Sequence, residues 1–335
     1  MPNRKPLWKL YLSFCAAFAL LPAVVVAGDF DQNPRTQAFI DEMVQRHQFD
    51  RQELEALFAQ AEKRDDILKA ISRPAESKPW YEYRPIFLTQ SRIEGGVEFW
   101  KRNESRLNKI EKAYGVDPAV VVAIIGVETR YGANTGSYRV IDALSTLAFD
   151  YPPRAKFFRS ELEQFLILTR EEHVDPRDAE GSYAGAMGYG QFIPSSYRAY
   201  AVDFDEDGQR DLWASMDDII GSVANYFHRH GWQLGQPVAS KARTSGKIAD
   251  GMVSPNSKPE KTVAEFAKAG VRSEPALPDD EPVALLELEQ RNGPEYWLTA
   301  NNFYVITRYN RSPLYAMAVF QLSQAIREAY ENHAS

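Results

Sequence analysis

One acidic residue, Glu128, stands at the end of a segment that otherwise contains no polar side chain. The nine residues before it, 119–127, are all apolar or glycine. Asp117 and Pro118 are typical of the first positions of a helix, and Gly132 of the position just after its end. A helix that is apolar on every side is buried, and burial raises the pKa of a carboxyl group. The segment therefore predicts a general acid able to work near neutral pH.

A structural role for Glu128 is the alternative. A carboxylate at a helix end could pair with Arg130 or with another cation and take no part in chemistry. Against this, Glu128 is placed three and four residues after Ile125 and Ile124, on a face that helical spacing predicts to be buried. A lone acid on such a face is a candidate functional residue, and this favours catalysis over a simple ion pair.

A second segment, 181–197, combines glycines with aromatic residues. Four glycines fall between residues 181 and 190, and Tyr183, Tyr189, Gln191 and Phe192 lie among or just after them. Glycine lets the backbone approach a ligand closely, aromatic rings stack on sugar faces, and amides and hydroxyls supply hydrogen bonds. The composition is typical of one wall of a saccharide groove. An ordinary glycine-rich turn before a helix starting at Pro194 is the alternative.

The third candidate site is an acidic loop that begins at Asp203. Its spacing is that of an EF-hand, with acids at positions 1, 3, 5 and 9 and glycine at position 6. The predicted ligands are Asp203, Asp205, Asp207, the backbone carbonyl of Gln209, and a closing carboxylate further along the chain. Position 12 is Ala214, so Asp217 or Asp218 must close the loop; Asp218 is preferred, although it could instead cap the next helix. Many flexible oxygen ligands favour a structural Ca²⁺ over Mg²⁺. A solvated acidic turn is the alternative.

Other catalytic signatures are absent from the sequence. It contains no GxSxG, no phosphate-binding P-loop and no HExxH motif. His228 and His230 are two residues apart, so on a helix they diverge and cannot share a metal. No organic cofactor is expected.

Helical periodicity predicts the elements that carry these residues. Helical spacing runs from residue 36 to 72, with an interruption near residues 49 and 50. Prolines at 74, 79 and 85 then break the pattern, and residues 80–83 are expected to form an aromatic loop. Further helices are predicted over 89–114, 118–131, 155–170, 218–230 and 313–330. Residues 244–262 have the composition of an exposed linker or insertion, and residues 282–299 that of a β-hairpin around Asn292-Gly293.

Composition limits the classes of partner. The chain of 335 residues has a net charge of −7, which gives no basic footprint for binding nucleic acid. Its one cysteine, Cys15, excludes disulfides within the chain and four-cysteine zinc sites. Length alone suggests about two domains, or one domain with insertions.

The first 27 residues have the features of a cleavable export signal. Arg4, Lys5 and Lys9 precede an apolar stretch, and small residues stand where a signal peptidase would cut before Gly28. Cleavage removes three positive charges, so the mature chain is three units more acidic and has no cysteine. An uncleaved anchor helix is the alternative. Lipidation of Cys15 is not expected, because Phe14 stands where a small residue is needed. These features predict a periplasmic protein without a lipid anchor.

Four segments together resemble the lytic murein transglycosylase B family. They are residues 125–132 (IGVETRYG), 184–196 (AGAMGYGQFIPSS), the acidic loop running into 221–227 (GSVANYF), and 302–310 (NFYVITRYN). The resemblance spans nearly the whole mature chain. It implies a mainly α protein with a goose-type lysozyme-like core, an EF-hand-like calcium loop within that core, and a small β-containing insertion.

The family's activity implies a role for each matching residue. Glu128 would be the sole catalytic acid, cleaving the bond between N-acetylmuramic acid and N-acetylglucosamine in peptidoglycan and leaving a 1,6-anhydro end without water. The positions that would line or orient the saccharide are Ser182, Tyr189, Gln191, Tyr226, Tyr304, Tyr309 and Asn310. The partners implied are peptidoglycan glycan strands and other cell-wall enzymes, with the protein itself a monomer. The predicted organisation is a signal (1–27), a helical segment (28–75), a catalytic core (76–235), a linker with a β region (236–300), and a C-terminal segment that returns to the core (301–335).

Two other functions remain open at this point. A muramidase would hydrolyse the same bond with water and would need a second carboxylate to activate that water. Asp142, Asp150 and Glu180 are the candidates for it. A calcium-dependent peptidoglycan-binding module without catalysis is the other possibility, and in it Glu128 would be structural.

Overall fold

The structure, a computed structural model, describes residues 28–72 and 78–334, so the predicted export signal and Cys15 lie outside the described residues. Helices dominate the described chain and belong mostly to one large apolar core. They are α1 (Pro34–His47), α2 (Arg51–Ala59), α3 (Asp65–Ile71), α4 (Trp80–Phe87), α5 (Gln90–Tyr114), α6 (Pro118–Thr129), α7 (Val140–Asp150), α8 (Ala155–Glu171), α9 (Pro194–Tyr200), α10 (Met216–Arg229), α11 (Val263–Lys268), α12 (Asn301–Tyr309) and α13 (Pro313–Ala334).

The central helix is α6, and it is buried as its composition predicts. Every residue from Pro118 to Val127 is buried, and α5 and α13 both pack along the helix. Asp117 caps its start, since its side chain accepts a hydrogen bond from the backbone N–H of Ala119 at 2.8 Å. A helix surrounded on all sides is a rigid support for whatever its last turn carries.

The predicted stop of α6 at Gly132 is wrong by two residues. Arg130 is the residue that leaves the helix in the left-handed conformation, with φ 52°, and Tyr131 follows with φ 61°. Buried Arg92 contributes to this early ending, because its guanidinium donates to the carbonyls of Gly126 and Val127 at 2.6 and 3.3 Å. Gly132 has a different role: a Cβ there would lie 2.0 Å from the ring of Tyr189.

The aromatic loop predicted at residues 80–83 is helix α4. Pro79 precedes the helix, where its fixed φ is compatible with a helix start. Trp80 and Tyr83 are buried and α4 packs against α13, so tertiary packing outweighs the local effect of Pro85 inside the helix. Local pattern does not predict this helix, because prolines flank and interrupt a segment of only two turns.

In the described part of the chain, the strands form two antiparallel sheets. A short pair joins β1 (Tyr138–Arg139) to β2 (Glu180–Gly181). A larger sheet has the order β4-β6-β7-β3-β5. Its strands are β3 (Ala239–Thr244), β4 (Lys261–Thr262), β5 (Val271–Glu274), β6 (Pro282–Gln290) and β7 (Gly293–Thr299). The hairpin predicted around Asn292-Gly293 is confirmed as β6 and β7, with Gln290 paired to Gly293.

The larger sheet is buried on two sides. Val283, Leu285 and Leu298 belong to a small second core, whereas Leu286 and Leu288 of the same strand β6 face the main helical core. The segment predicted as a linker or insertion, 244–262, packs against this small core. The backbone N–H of Ser254 donates a hydrogen bond to the carbonyl of Leu285 at 2.8 Å. The sheet is thus fastened to the helices through one face.

Candidate active site

Glu128 lies in the last turn of α6, largely enclosed but with part of its side chain open to solvent. The hydroxyl of Tyr315, on α13, donates a hydrogen bond to its Oε1 at 2.6 Å. Burial raises the pKa of Glu128 to about 7, although the Tyr315 bond favours the ionised form and opposes part of that rise. A carboxyl with this pKa can both give and take a proton at neutral pH.

The ion pair considered for Glu128 is absent. Arg130 is exposed beyond the end of α6, and the hydrogen-bond partner of Glu128 is a neutral hydroxyl. Within the described chain, the pKa of Glu128 is shifted by burial and by Tyr315, and by no nearby cation or second carboxylate. The structure therefore removes the simplest structural explanation for this residue.

Of the three carboxylates considered as a second catalytic group, two are paired with other residues and the third is exposed. Asp142 is buried and bonded to Arg139 at 2.7 Å, and it also accepts the backbone N–H of Glu62. Asp150 lies 3.4 Å from Lys63. Glu180 is at the exposed end of β2. None of them is among the groups that shift the pKa of Glu128.

A cleft of about 570 Å³ gathers four of the predicted saccharide residues. Gln191, Tyr226, Tyr309 and Asn310 all line it. Tyr309 lies close enough to Glu128 for the charge of that carboxylate to act on it. Burial first, and then the charge of Glu128, raises the pKa of Tyr309 well above the ordinary tyrosine value. The glycine loop and the end of α12 thus meet beside the catalytic candidate.

The ring of Tyr226 is held firmly at the side of this cleft. It stacks on His230 with centroids 4.1 Å apart and meets Tyr309 edge to face at 4.8 Å. Its hydroxyl donates to the backbone carbonyl of Arg308 at 2.5 Å, and burial raises its pKa to about 12. His230 bonds to the carbonyl of Tyr226 and His228 to the carbonyl of Tyr114.

Gln191 has a constrained backbone and a half-used amide. Its φ is 50°, and its Nε2 donates to the carbonyls of Thr135 at 3.0 Å and Gly188 at 2.9 Å. Its Oε1 has no donor within the described residues, so this oxygen can accept a hydrogen bond from a ligand. A strained backbone at a cleft is typical of a binding position.

The remaining three predicted saccharide residues do not line the cleft. Ser182 shapes the loop, since its Oγ accepts from the backbone N–H groups of Ala184 and Ala186. The ring of Tyr189 packs on Gly132, and the backbone carbonyl of Tyr189 accepts a hydrogen bond from the hydroxyl of Thr129. Tyr304 lies under the guanidinium of Arg308 at 5.9 Å.

The far end of the loop is anchored by Glu161, a buried carboxylate on α8. Its side chain accepts from both the backbone N–H and the hydroxyl of Ser195, at 2.9 and 2.8 Å. Ser195 lies in the first turn of α9, near the end of the segment 181–197 that was predicted to form a groove wall. Glu161 thereby ties the loop that carries Gln191 to the helical core.

Sequence reasoning missed several residues of this site. Tyr315 lies 187 positions from Glu128 in a helix that reads as ordinary apolar core, so no local pattern marks it. Arg154, Arg308 and Arg311 line the cleft, and none has a carboxylate partner within the described residues. The only sign of these residues in the sequence is the closely spaced pair of positive charges at Arg308 and Arg311.

The acidic loop brings together three of its five predicted ligands. Carboxylate oxygens of Asp203, Asp205 and Asp218 lie within 4.8 Å of one another. Asp217 is not available, because it is bonded to Arg106 at 2.6 Å. Asp207 and Gln209 are exposed and are not part of that group, and a carboxylate oxygen of Asp207 accepts the backbone N–H of Gln209.

Asp218 is the organising residue of the loop. It is fully buried, and its two oxygens accept the backbone N–H groups of Phe204 at 2.7 Å and Asp211 at 2.8 Å. Burial raises its pKa, and the charge of Asp205 acts in the same direction. A buried carboxylate beside two others is unfavourable without a cation, and an all-oxygen donor set fits Ca²⁺.

Comparison with known proteins places this geometry in a family. A model of the transglycosylase SLT domain matches residues 31–324. The chain belongs to the transglycosylase SLT family.

Relatives within the family are similar over nearly their whole length. The membrane-bound lytic murein transglycosylase B of Escherichia coli (strain K12) is 46% identical over 312 residues, which cover 90% of this chain and 85% of that protein. The soluble lytic transglycosylase SltB1 of Pseudomonas aeruginosa, in a catenated form, has a TM-score of 0.85 at 51% identity, covering 90% of this chain and 100% of the other. Escherichia coli Slt35 in complex with calcium has a TM-score of 0.83 at 46% identity, covering 91% and 96%.

These relatives confirm the predicted fold class. The chain is a mainly helical, lysozyme-like transglycosylase fold with a small β-sheet, as the sequence motifs implied. Within the described residues, no helix has both the length and the hydropathy needed to span a bilayer.

Proposed function

We propose that this protein is a peptidoglycan lytic transglycosylase with Glu128 as its sole catalytic acid. Family membership supports the reaction class, since the Escherichia coli relative is a lytic murein transglycosylase. The observation that carries the assignment of Glu128 is its isolation: a carboxyl with a pKa near 7, bonded to a tyrosine hydroxyl, with no second carboxylate acting on it.

The proposed reaction needs one carboxyl group in two protonation states. Protonated Glu128 gives its proton to the glycosidic oxygen between N-acetylmuramic acid and N-acetylglucosamine, and the C1–O bond breaks. The resulting carboxylate then takes the proton of the muramoyl C6 hydroxyl as that oxygen bonds to C1. The products are a free 4-hydroxyl and a 1,6-anhydromuramoyl end, with no water consumed. Glu128 finishes protonated, ready for the next cycle.

This chemistry explains why a second carboxylate is unnecessary. Ordinary glycosidases use two carboxylates, as nucleophile and acid or as base and acid. Here the attacking oxygen belongs to the substrate, so no water has to be activated. The occupied state of Asp142 and Asp150 supports this reading over hydrolysis.

The cleft supplies binding groups for the glycan. We assign Gln191, Tyr226, Tyr309 and Asn310 to direct saccharide contact, and Ser182, Tyr189 and Tyr304 to shaping the walls from behind. The unpaired guanidinium groups of the cleft favour the carboxylates of the stem peptides that are attached to muramoyl residues.

Glu128→Gln tests the assignment directly. We expect the loss of at least about 100-fold in lytic activity, because general acid catalysis contributes roughly that much or more. Purified variant and wild type are incubated with peptidoglycan, and the ends are analysed by mass spectrometry. Anhydro ends from the wild type support the proposal; reducing ends would indicate a hydrolase, and full activity of the variant would remove Glu128 from the mechanism.

We also propose a structural Ca²⁺ in the acidic loop and export to the periplasm. Asp203, Asp205 and Asp218 would hold the ion, with Asp207 and the carbonyl of Gln209 joining when the loop closes on it. The calcium complex of the relative Slt35 supports this. The features of residues 1–27 support export, and Phe14 before Cys15 argues against a lipid anchor.

A further inference from the structure

A second cleft, larger than the one beside Glu128, lies between α4, the tip of the β6–β7 hairpin and α13. Its volume is about 720 Å³, within the range of about 300–1,000 Å³ that ligand sites occupy. We call it the hairpin cleft, and its main lining residues are Tyr81, Arg84, Arg291, Trp297, Gln321 and Gln324. Nothing in the proposed reaction uses it.

The hairpin cleft is separate from the catalytic acid. On α13, Gln321 and Gln324 are six and nine residues beyond Tyr315, which places them about 9 and 13 Å further along the helix and near its opposite side. On α4, Tyr81 and Arg84 line the cleft. Tyr83, which influences the pKa of Tyr315, does not line it. Two helices therefore present one face to the active site and another to this cleft.

Aromatic rings form two of its walls and are held in place by neighbours. The guanidinium of Arg291, at the hairpin tip, lies 5.4 Å from the ring centroid of Tyr81. The indole N–H of Trp297 donates a hydrogen bond to the carboxylate of Glu295 at 2.7 Å. The same carboxylate accepts a hydrogen bond from the ammonium group of Lys241 at 3.1 Å. Rings fixed in this way can bind flat apolar faces without a large loss of side-chain entropy.

Amide groups fill much of the remaining lining. Gln290, Asn292, Gln321 and Gln324 each contribute a side-chain donor and acceptor. Arg84 donates to Gln321 at 2.8 Å and so orients that amide. Beneath them Trp80 is buried, and its Nε1 has no acceptor in the described part of the chain. The charged lining residues are of both signs, Arg84, Lys241 and Arg291 against Glu295 and Glu328, so the cleft has no strong excess of one charge. Rings combined with amides in such a lining suit a neutral sugar better than a phosphate or an acidic peptide.

We propose that the hairpin cleft binds a stretch of glycan strand through N-acetylglucosamine units, at a site distinct from the one where cleavage occurs. The proposal rests on the proposed function, because it takes the polymeric substrate from it. A second contact with the polymer keeps the enzyme on the cell wall between cuts and raises the local concentration of cleavable bonds.

The test uses the full chain carrying Glu128→Gln, titrated with the tetrasaccharide of N-acetylglucosamine and followed by the indole N–H signals of Trp80 and Trp297. We expect saturable shifts of these signals.

Two variants test the cleft directly. Tyr81→Ala removes one wall, and Gln324→Trp fills the cleft from an exposed helical position. Each should weaken this binding about three- to tenfold, the effect of losing one aromatic or shape contact. Gln191→Ala, in the other cleft, is the matched control and should leave it unchanged.

A functional readout separates this proposal from the proposed reaction. Tyr81→Ala and Gln324→Trp in the wild-type background should cleave short soluble strands normally but bind and digest intact sacculi less well. Unchanged indole signals, or unchanged affinity for sacculi in both variants, would overturn the second site. Binding only of peptide-bearing fragments would overturn its assignment to sugar. Failure of the proposed function would instead appear as full lytic activity of Glu128→Gln.

Discussion

At the scale of single residues, the protonation of Glu128 depends on one hydroxyl. Tyr315 donates to the carboxyl at 2.6 Å and stabilises its ionised form, while burial opposes ionisation more strongly. The balance leaves the pKa near 7, where one group can serve as acid and then as base. In the proposed mechanism, Tyr315 thus positions the carboxyl of Glu128 and lowers its pKa.

Tyr315→Phe should therefore change the pH profile of the enzyme. The hydrogen bond lowers the pKa of Glu128, so its loss raises that pKa, and the acid stays protonated to higher pH. We expect the alkaline limb of the kcat/KM profile to move to higher pH by about one unit, because a hydrogen bond to a charged group is worth roughly that shift in pKa. The profile is measured on soluble glycan strands.

The same helix offers a matched control for this experiment. The hydroxyl of Tyr330 donates to Glu104 at 2.9 Å on the exposed side of α13, so Tyr330→Phe removes a tyrosine bond without touching the site. Its profile should match the wild type. An alkaline limb that stays in place in Tyr315→Phe, or moves downward, would show that the bond does not govern the catalytic pKa.

At the scale of elements, the acidic loop is held in shape by backbone bonds to Asp218. That carboxylate accepts from two separate points of the loop, while its neighbour Asp217 pairs with Arg106. Two adjacent acids thus have different partners, and only one faces the proposed ion.

Calcium should stabilise the protein through this loop. We expect saturating Ca²⁺ to raise the Tm by on the order of 5 °C relative to EDTA, because an ion that binds the folded state alone stabilises it. Asp218→Asn should abolish the Ca²⁺-dependent rise, and Asp217→Asn should retain it. Differential scanning calorimetry measures all three proteins, and an equal rise in Asp218→Asn would refute the ligand assignment.

How far the sequence predicted these elements depends on whether local pattern or distant packing decides them. The burial of α6 followed from nine apolar residues, and the Asn292-Gly293 turn from local backbone preference. The helix at Trp80 was missed, because its stability comes from packing on α13 rather than from its own prolines. Likewise, Glu128 was found from its neighbours, whereas Tyr315 is brought to it only by the complete fold.

At the scale of the whole molecule, the buried carboxyl of Glu128 reduces the stability of the fold. The folded-state pKa of Glu128 is raised from 4.5 to about 7, so the folded protein binds this proton more tightly than the unfolded chain does. Ionisation therefore disfavours the folded state, and the penalty grows as the pH rises from about 4.5 and is complete above about 7. If Glu128 is the acid, as proposed, activity and stability oppose one another at this position.

Glu128→Gln should consequently be more stable than the wild type at pH 8, by about 1–3 kcal/mol after allowing for partial solvent access. The difference should disappear at pH 4.5 and below. Urea unfolding at pH 4.5 and pH 8 measures both values. Glu98→Gln, at an exposed position of α5, is the control and should show no such pH-dependent gain. Equal stability of Glu128→Gln and wild type at pH 8 would mean that the carboxyl is not strained by burial.

The position of α13 in the chain sets the order in which the enzyme can become active. This helix packs on α4, α5, α6 and α12, and it supplies the hydroxyl that bonds to Glu128. A nascent or truncated polypeptide that stops before residue 313 has the acid but lacks its partner and one side of the core around α6. Synthesis through Glu128 alone therefore does not complete the proposed site, because α13 must also be made and packed against the core.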